Sequence, residues 1–190
     1  MATPKLDKAV SALGTRMADE SHSIFGKTFL IQYITRAIDT LFTQVVAETK
    51  GQAIQDLFPE LLKVKAGLKI ETSIISLTDI SSDCYRIMSG TTSKNELIRI
   101  WDAGIYSKVK SEKKPFHYPT KDKPAIFNID DKMYILPTDY KGTFELVYLV
   151  NPTANKLGER DNDIPLSDKW TVKIVDLAEQ LLRKDLQQEA

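Results

Sequence analysis

With one cysteine, two histidines and no excess of either charge, the chain of 190 residues is poor in the groups from which most metal and catalytic sites are built. The single Cys84 excludes an internal disulfide. His22 and His117 stand alone in the sequence, without metal-ligand spacing between them or with Cys84. Lys plus Arg number 26 and Asp plus Glu number 26, so no global field steers the chain to nucleic acid or anionic lipid. The longest apolar run is five residues, Leu146 to Val150, whereas a membrane-spanning helix needs about 20. Residues 1–16 include Asp7 and no apolar core of signal-peptide length, which points to synthesis in a reducing, intracellular compartment. What remains is 42% hydrophobic and 27% charged, with a mean hydropathy of -0.25, the composition of an ordinary globular protein.

Apolar residues at helical spacing organise the N-terminal third. Leu6, Val10, Leu13 and Met17 form a narrow stripe containing Gly14, so residues 1–19 read as an arm whose apolar face needs a partner. Residues 21–26 read as a linker. Over residues 27–49 the stripe is wide, with Leu30, Ile34, Ala37, Ile38, Leu41, Val45 and Val46 in phase. Ile54, Leu57, Phe58, Leu61 and Leu62 predict a second helix that Pro59 interrupts or restarts.

Beyond Gly67 the period changes to two. Leu68, Ile70, Thr72 and Ile74 alternate with polar neighbours, and a phase shift at Ile75 and Leu77 predicts a bulge. Residues 83–89 and 96–102 read as strands joined by a polar turn at 90–95. Residues 125–129 and 132–136 flank Asp130-Asp131, and residues 143–150 follow a turn, giving a meander. Val147 and Leu149 make the second face of that last strand apolar, so both of its sides are expected to be covered. Residues 151–165 form a polar loop, and Ser167 caps a last helix carrying Trp170, Ile174, Leu177, Ala178 and Leu181. The order predicts an α+β fold with an N-terminal helical pair, a central antiparallel β meander and a C-terminal helix. Residues 1–26 would be arm and linker, and residues 27–190 a single domain.

Motifs of known chemistry fail on specific residues. Gly26-Lys27-Thr28 ends like a phosphate-binding loop, but the first glycine and the preceding buried strand are missing. Asp161-Asn162-Asp163 begins like a calcium loop, yet Leu166 replaces the required glycine and Val172 the closing glutamate. Asp130-Asp131 is explained by a hairpin turn. Neither Cys84 nor any serine has a recognisable base. No catalytic, cofactor-binding or metal-ligating residue is therefore assigned, and the chain is expected not to be an enzyme.

One local charge stands out. Lys108, Lys110, Lys113, Lys114, Lys121 and Lys123 face only Glu112 and Asp122 within residues 108–123, with Phe116, His117 and Tyr118 interleaved. Such a run suits either nucleic-acid phosphates or another subunit. Its counterpart is the acidic loop with Glu159, Asp161 and Asp163, which in a head-to-tail assembly could face the basic loop of the next copy. Leu6, Val10, Leu13 and Met17 of the arm are the remaining candidate subunit contacts.

Four successive segments carry a resemblance. They are Pro124-Ala125-Ile126-Phe127; Lys132-Met133-Tyr134-Ile135-Leu136-Pro137; Phe144-Glu145-Leu146-Val147-Tyr148-Leu149-Val150-Asn151-Pro152; and Ile164-Pro165-Leu166-Ser167-Asp168-Lys169-Trp170, which leads into Ile174-Val175-Asp176-Leu177-Ala178. Together with the helix around Tyr33-Ile34-Thr35-Arg36-Ala37-Ile38, this order resembles the virion ring proteins of short-tailed bacteriophages, the head-to-tail adaptors below the portal, and especially the ring proteins of crAss-like phages. Asn151 stands where many of those proteins carry a basic residue, and the middle of the chain, residues 68–100, lies outside the likeness. The resemblance implies a structural virion protein of the head-tail connector or tail, made in the host cytoplasm. It further implies a homo-oligomeric ring, a dodecamer, docked on a portal or neighbouring ring or tail protein, with genomic DNA passing nearby and no membrane or cofactor. A soluble adaptor or regulatory module that binds a protein or nucleic acid is the alternative. An enzyme with a site composed of scattered residues is the third reading.

Overall fold

In the computed structural model, which describes residues 5–18, 24–49, 52–111, 118–154, 157 and 163–188, the chain divides into two compact units. One combines Met1–Leu61 with Pro152–Ala190, and the other is Leu62–Asn151. The α+β class holds, with helices at the N-terminus, strands in the middle and a helix at the C-terminus. The strands form a compact unit of their own, and residues 5–16 belong to the helical one.

The helical unit is built on helix α2, Lys27–Glu48, whose stripe buries Leu30, Tyr33, Ile34, Ala37, Ile38, Phe42 and Val46. Helix α3, Gln52–Leu57, is short because Pro59 restarts the chain as a 3-10 turn over Pro59–Leu61. The C-terminal helix, here α6 in chain order, runs from Thr171 to Gln188 behind a 3-10 turn at Asp168–Trp170. Phe58 joins them, stacked on Trp170 at 5.1 Å and tilted against Phe42 at 5.6 Å between ring centroids. Ser167 occupies the cap position in extended conformation, but its hydroxyl makes no capping bond. Its N–H instead donates to Glu60 Oε1 at 2.6 Å.

The N-terminal stripe is already partnered within the chain. Helix α1, Lys5–Arg16, packs on α2 and α6, and Leu6, Ala9, Val10 and Leu13 are buried. Its first turn is held by Asp163, whose carboxylate accepts the N–H groups of Lys5 at 2.9 Å and Leu6 at 2.6 Å, as well as that of Ile164 at 2.8 Å. Burial alone would raise the Asp163 carboxyl, but these three backbone donors outweigh it and hold it below the usual carboxylate range.

The second unit contains two sheets. In the first, the order is β1-β7-β3, with β1 Leu62–Ile70, β3 Cys84–Thr92 and β7 Gly142–Val150, all antiparallel. The second has the order β2-β6-β5-β4, with β2 Ile74–Ser76, β4 Arg99–Asp102, β5 Ala125–Ile129 and β6 Lys132–Leu136. Only the β4–β5 pair is parallel. Helix α4, Leu77–Ile80, follows β2, and helix α5, Tyr106–Ser111, follows β4 through a 3-10 turn.

Several expectations change here. The first strand begins at Leu62 rather than Leu68, because Gly67, at φ 70°, bulges it and breaks the alternation. The phase shift at Ile75 is a change of sheet: β1 pairs with β7, and β2 pairs with β6. The β5–β6 hairpin turns at Asp130, φ 52°, as expected. The next strand then leaves for the other sheet, so the chain order of a meander stops at this hairpin. Residues 84–92 and 99–102 likewise fall in different sheets; the chain between them folds back on β3, with a bridge between Thr91 and Leu97 and the N–H groups of Thr92 and Ile98 donating to the carbonyls of Glu96 and Gly90, each at 2.9 Å.

One side chain ties the sheets together. Asn128, on β5, accepts the N–H of Ile87 and donates to its carbonyl, both at 3.0 Å, and so stands in for a strand partner. Ile126, Met133 and Ile135 share this face of the second sheet by register and are fully buried. At one end of the first sheet, Lys63 of β1 reaches across β7 to Asp83, just before β3: its Nζ meets Asp83 Oδ2 at 2.5 Å, and the Ser81 hydroxyl donates to the other oxygen. Burial would raise the Asp83 carboxyl, and these two donors more than reverse that.

Asn128→Ala removes both bonds and strands the Ile87 amide and carbonyl, so a loss of about 2–3 kcal/mol is expected in urea unfolding. A loss below about 0.5 kcal/mol would show that the staple carries no stability. Asp163→Ala is expected to cost about 1–2 kcal/mol at neutral pH. Because the folded-state pKa of Asp163 is depressed, its contribution is present above the usual carboxylate range and disappears as pH falls through the folded value. The two unfolding curves should therefore converge in acid, below about pH 4.

Candidate nucleic-acid interface

The face of the second sheet opposite Asn128 carries Trp101, Ala125, Phe127, Ile129, Tyr134 and Leu136 by register. Ala125, Phe127 and Leu136 are fully buried there. Helix α5 covers them by laying Tyr106 and Val109 on the cluster. Tyr106 meets the edge of Phe127 and the ring of Tyr134, each at 5.1 Å, and Trp101 meets Phe127 at 5.4 Å. With only six residues, α5 draws its stability from this aromatic docking rather than from its own hydrogen bonds.

The docking face decides where the lysines go. Tyr106 and Val109 point inward, which turns Lys108 to solvent, while Lys110, four residues from Tyr106, lies over its ring at 5.6 Å. Arg99 and Lys132 are exposed on the same sheet face, at its opposite ends. Among the described residues none of these four cations has a carboxylate partner. Ile74 and Ile105 add exposed apolar surface on the sheet edge and at the helix start. Unpaired cations around half-buried aromatic rings suit phosphates and bases of a nucleic acid, or an acidic protein surface.

The rest of the expected lysine run is dispersed. Lys113 and Lys114 lie outside the described residues. Lys123 is exposed in a turn closed by paired backbone bonds with Thr120. Lys121 is paired with Asp139 at 2.8 Å, and it lines a cleft of about 240 Å³ with Thr92, Ser93, Lys94, Glu96, Asp122, Tyr140, Lys141 and Gly142. Lys94 pairs there with Asp122 at 3.6 Å. With Asp139 included, three lysines face three carboxylates, so the cleft has no net charge to attract an anion. Burial and the neighbouring Glu96 raise the Tyr140 phenol.

The other expected contacts also redistribute. Leu6, Val10 and Leu13 are buried inside the chain and Met17 is half-buried, which removes the first three from any surface of the folded chain. Asp163 caps α1, and Glu159 and Asp161 lie outside the described residues. Burial, reinforced by the charge of Asp83, pushes the half-buried Cys84 thiol up to about 12, where a thiolate nucleophile is not available at neutral pH. No protein-family model matches this chain, and no curated protein matches it. Arg99 and Lys132 escaped the sequence reading because only strand register brings them to the lysines of α5. Their signal was alternation with Trp101 and Tyr134, which becomes visible only once the strands are paired.

For duplex DNA on this face, the logarithm of affinity should fall with the logarithm of salt by about 0.9 per cation engaged. Replacing Lys108 and Lys110 with Gln is expected to flatten that slope by about two. Lys121→Gln should leave the slope unchanged, since Lys121 is already neutralised by Asp139.

Proposed function

We propose that the chain is a non-enzymatic structural subunit of a phage virion, assembling with copies of itself as a ring in the head-to-tail connector or tail. The ring, a dodecamer, docks on a portal or a neighbouring ring or tail protein, and genomic DNA passes through its channel. What supports the reading is the coincidence of the family-like segments with distinct elements of the fold. Residues 124–127 open β5, residues 132–137 are β6 with its terminal proline, residues 144–152 are β7 with the residues that leave it, and residues 164–170 lead into α6. The unpaired cations of α5 and its sheet suit a wall near DNA without sequence readout, since lysines on a solvent face meet phosphates rather than base edges.

The free cations also favour a second reading, a soluble module that binds nucleic acid or an acidic protein outside any virion. An affinity of the isolated chain for duplex DNA that persists at physiological salt would select it.

The deciding experiment is quantitative mass spectrometry of purified, DNA-filled particles. A ratio near one copy per portal subunit is the expected outcome for a ring matching the portal. Absence from particles would discard the virion reading and promote the soluble module.

A further inference from the structure

The cleft of about 240 Å³ lies wholly within the strand-rich unit, where the tip that follows β3 meets the turn that enters β7. Backbone bonds hold both of its walls. At the tip, the buried Thr92 hydroxyl accepts the N–H groups of Lys94 and Glu96, each at 3.3 Å, and Asn95 closes the turn at φ 60°. The Ser93 N–H donates to the Thr143 carbonyl at 3.1 Å, which ties the tip to β7. On the other wall, the Tyr140 N–H donates to the Pro137 carbonyl at 3.0 Å, and the Tyr140 ring stacks on Phe144 at 5.0 Å.

Tyr140 is only 7% exposed, yet its hydroxyl has no hydrogen-bond partner among the described residues. A polar group in that position calls for an explanation. Room for it is made by Gly142, where a Cβ would stand 2.5 Å from the hydroxyl oxygen. Gly142 is paired with Ile70 of β1, and glycine weakens a strand, so it belongs where another group must approach the backbone closely. Stacking on Phe144 uses the ring of Tyr140 and not its hydroxyl, which leaves the polar atom to the cleft.

The charges of the cleft sort in the same way. Lys121 is paired with Asp139 and Lys94 with Asp122. Glu96 and Lys141 remain, opposite charges lining one cleft, each without an ion-pair partner among the described residues. Glu96 is half-buried, and its charge together with burial raises the Tyr140 phenol, which therefore stays protonated and able to donate at neutral pH. The set is completed by a ligand with an anionic group for Lys141 and the Tyr140 O–H, and a cationic group for Glu96. A simple anion or a neutral sugar would leave one or both charges unmatched. The cleft is also smaller than the roughly 300–1,000 Å³ of sites for drug-sized ligands, which points to a small molecule.

We propose that this cleft binds a free zwitterionic α-amino acid, its carboxylate on Lys141 and the Tyr140 hydroxyl and its ammonium on Glu96. The site is independent of the virion reading and of the cations of α5.

The test is a titration of the full chain with the standard amino acids, followed by NMR at the amides of Ser93, Glu96, Lys141 and Gly142. For a ligand of so few atoms, saturable shifts with a Kd of about 1 mM are expected for at least one of them. Its N-acetyl and carboxamide analogues, each lacking one charge, should bind about tenfold more weakly. Tyr140→Phe should weaken binding about fivefold or more while leaving the thermal midpoint unchanged, since the hydroxyl it removes has no partner in the protein. Lys123→Gln, outside the cleft, should bind as the parent does. The proposal is overturned if no amino acid gives saturable shifts at these amides by about 20 mM, twentyfold above the expected Kd. It is equally overturned if either analogue, or glucose, binds there as tightly as the amino acid. These comparisons use the unaltered chain, so they decide the matter even if Tyr140→Phe fails to fold.

Discussion

The two hydrogen bonds between Asn128 and Ile87 set the arrangement of the strand-rich unit. Sheet two is apolar on both faces, and a sheet of that kind needs a cover on each side. Asn128 commits one face to sheet one by replacing the strand partner that Ile87 would otherwise lack, at the point where β3 shifts register against β7. The opposite face is then left for α5. The position of the cations of α5 thus follows from a polar staple on the other side of the sheet, through the aromatic cluster that the sheet supports.

In the helical unit the organising contacts are polar ends on an apolar stripe. Helix α6 carries its carboxylates where its neighbours present cations and hydroxyls: Asp176 and Glu179 toward Arg16, and Asp185 toward Arg36 and the Tyr33 hydroxyl. Most of these groups are substantially exposed, so the pairs select geometry more than they stabilise it. Burial of Leu13, Ile34, Ile174 and Leu182 supplies the driving force. The division of labour explains how a helix as weak as α1 can be well placed.

Much of the local structure was legible from periodicity. Helix α2 was read to within a residue, the β5–β6 hairpin and its Asp130 turn were read as they stand, and β7 was displaced by one residue. Misreadings occurred where one residue hides a pattern or where two meanings share it. Gly67 hides the first half of β1 by bulging it, and a three-residue connection after Ile70 looks like a bulge although it is a passage between sheets. The narrow stripe of Leu6, Val10 and Leu13 signals that a partner is needed but not whether the partner is α6 of the same chain.

The sequence by itself determined the α+β class, the length and phase of the main helix, the turn positions and the poverty of catalytic groups, because these depend on residue type and on spacings of two to four along the chain. Only the tertiary structure decided which strands share a sheet, that Arg99 and Lys132 join the lysines of α5, and that Lys121 is neutralised by Asp139. Each of those facts depends on pairing between residues far apart in sequence. Periodicity specifies which face is apolar but not what covers it.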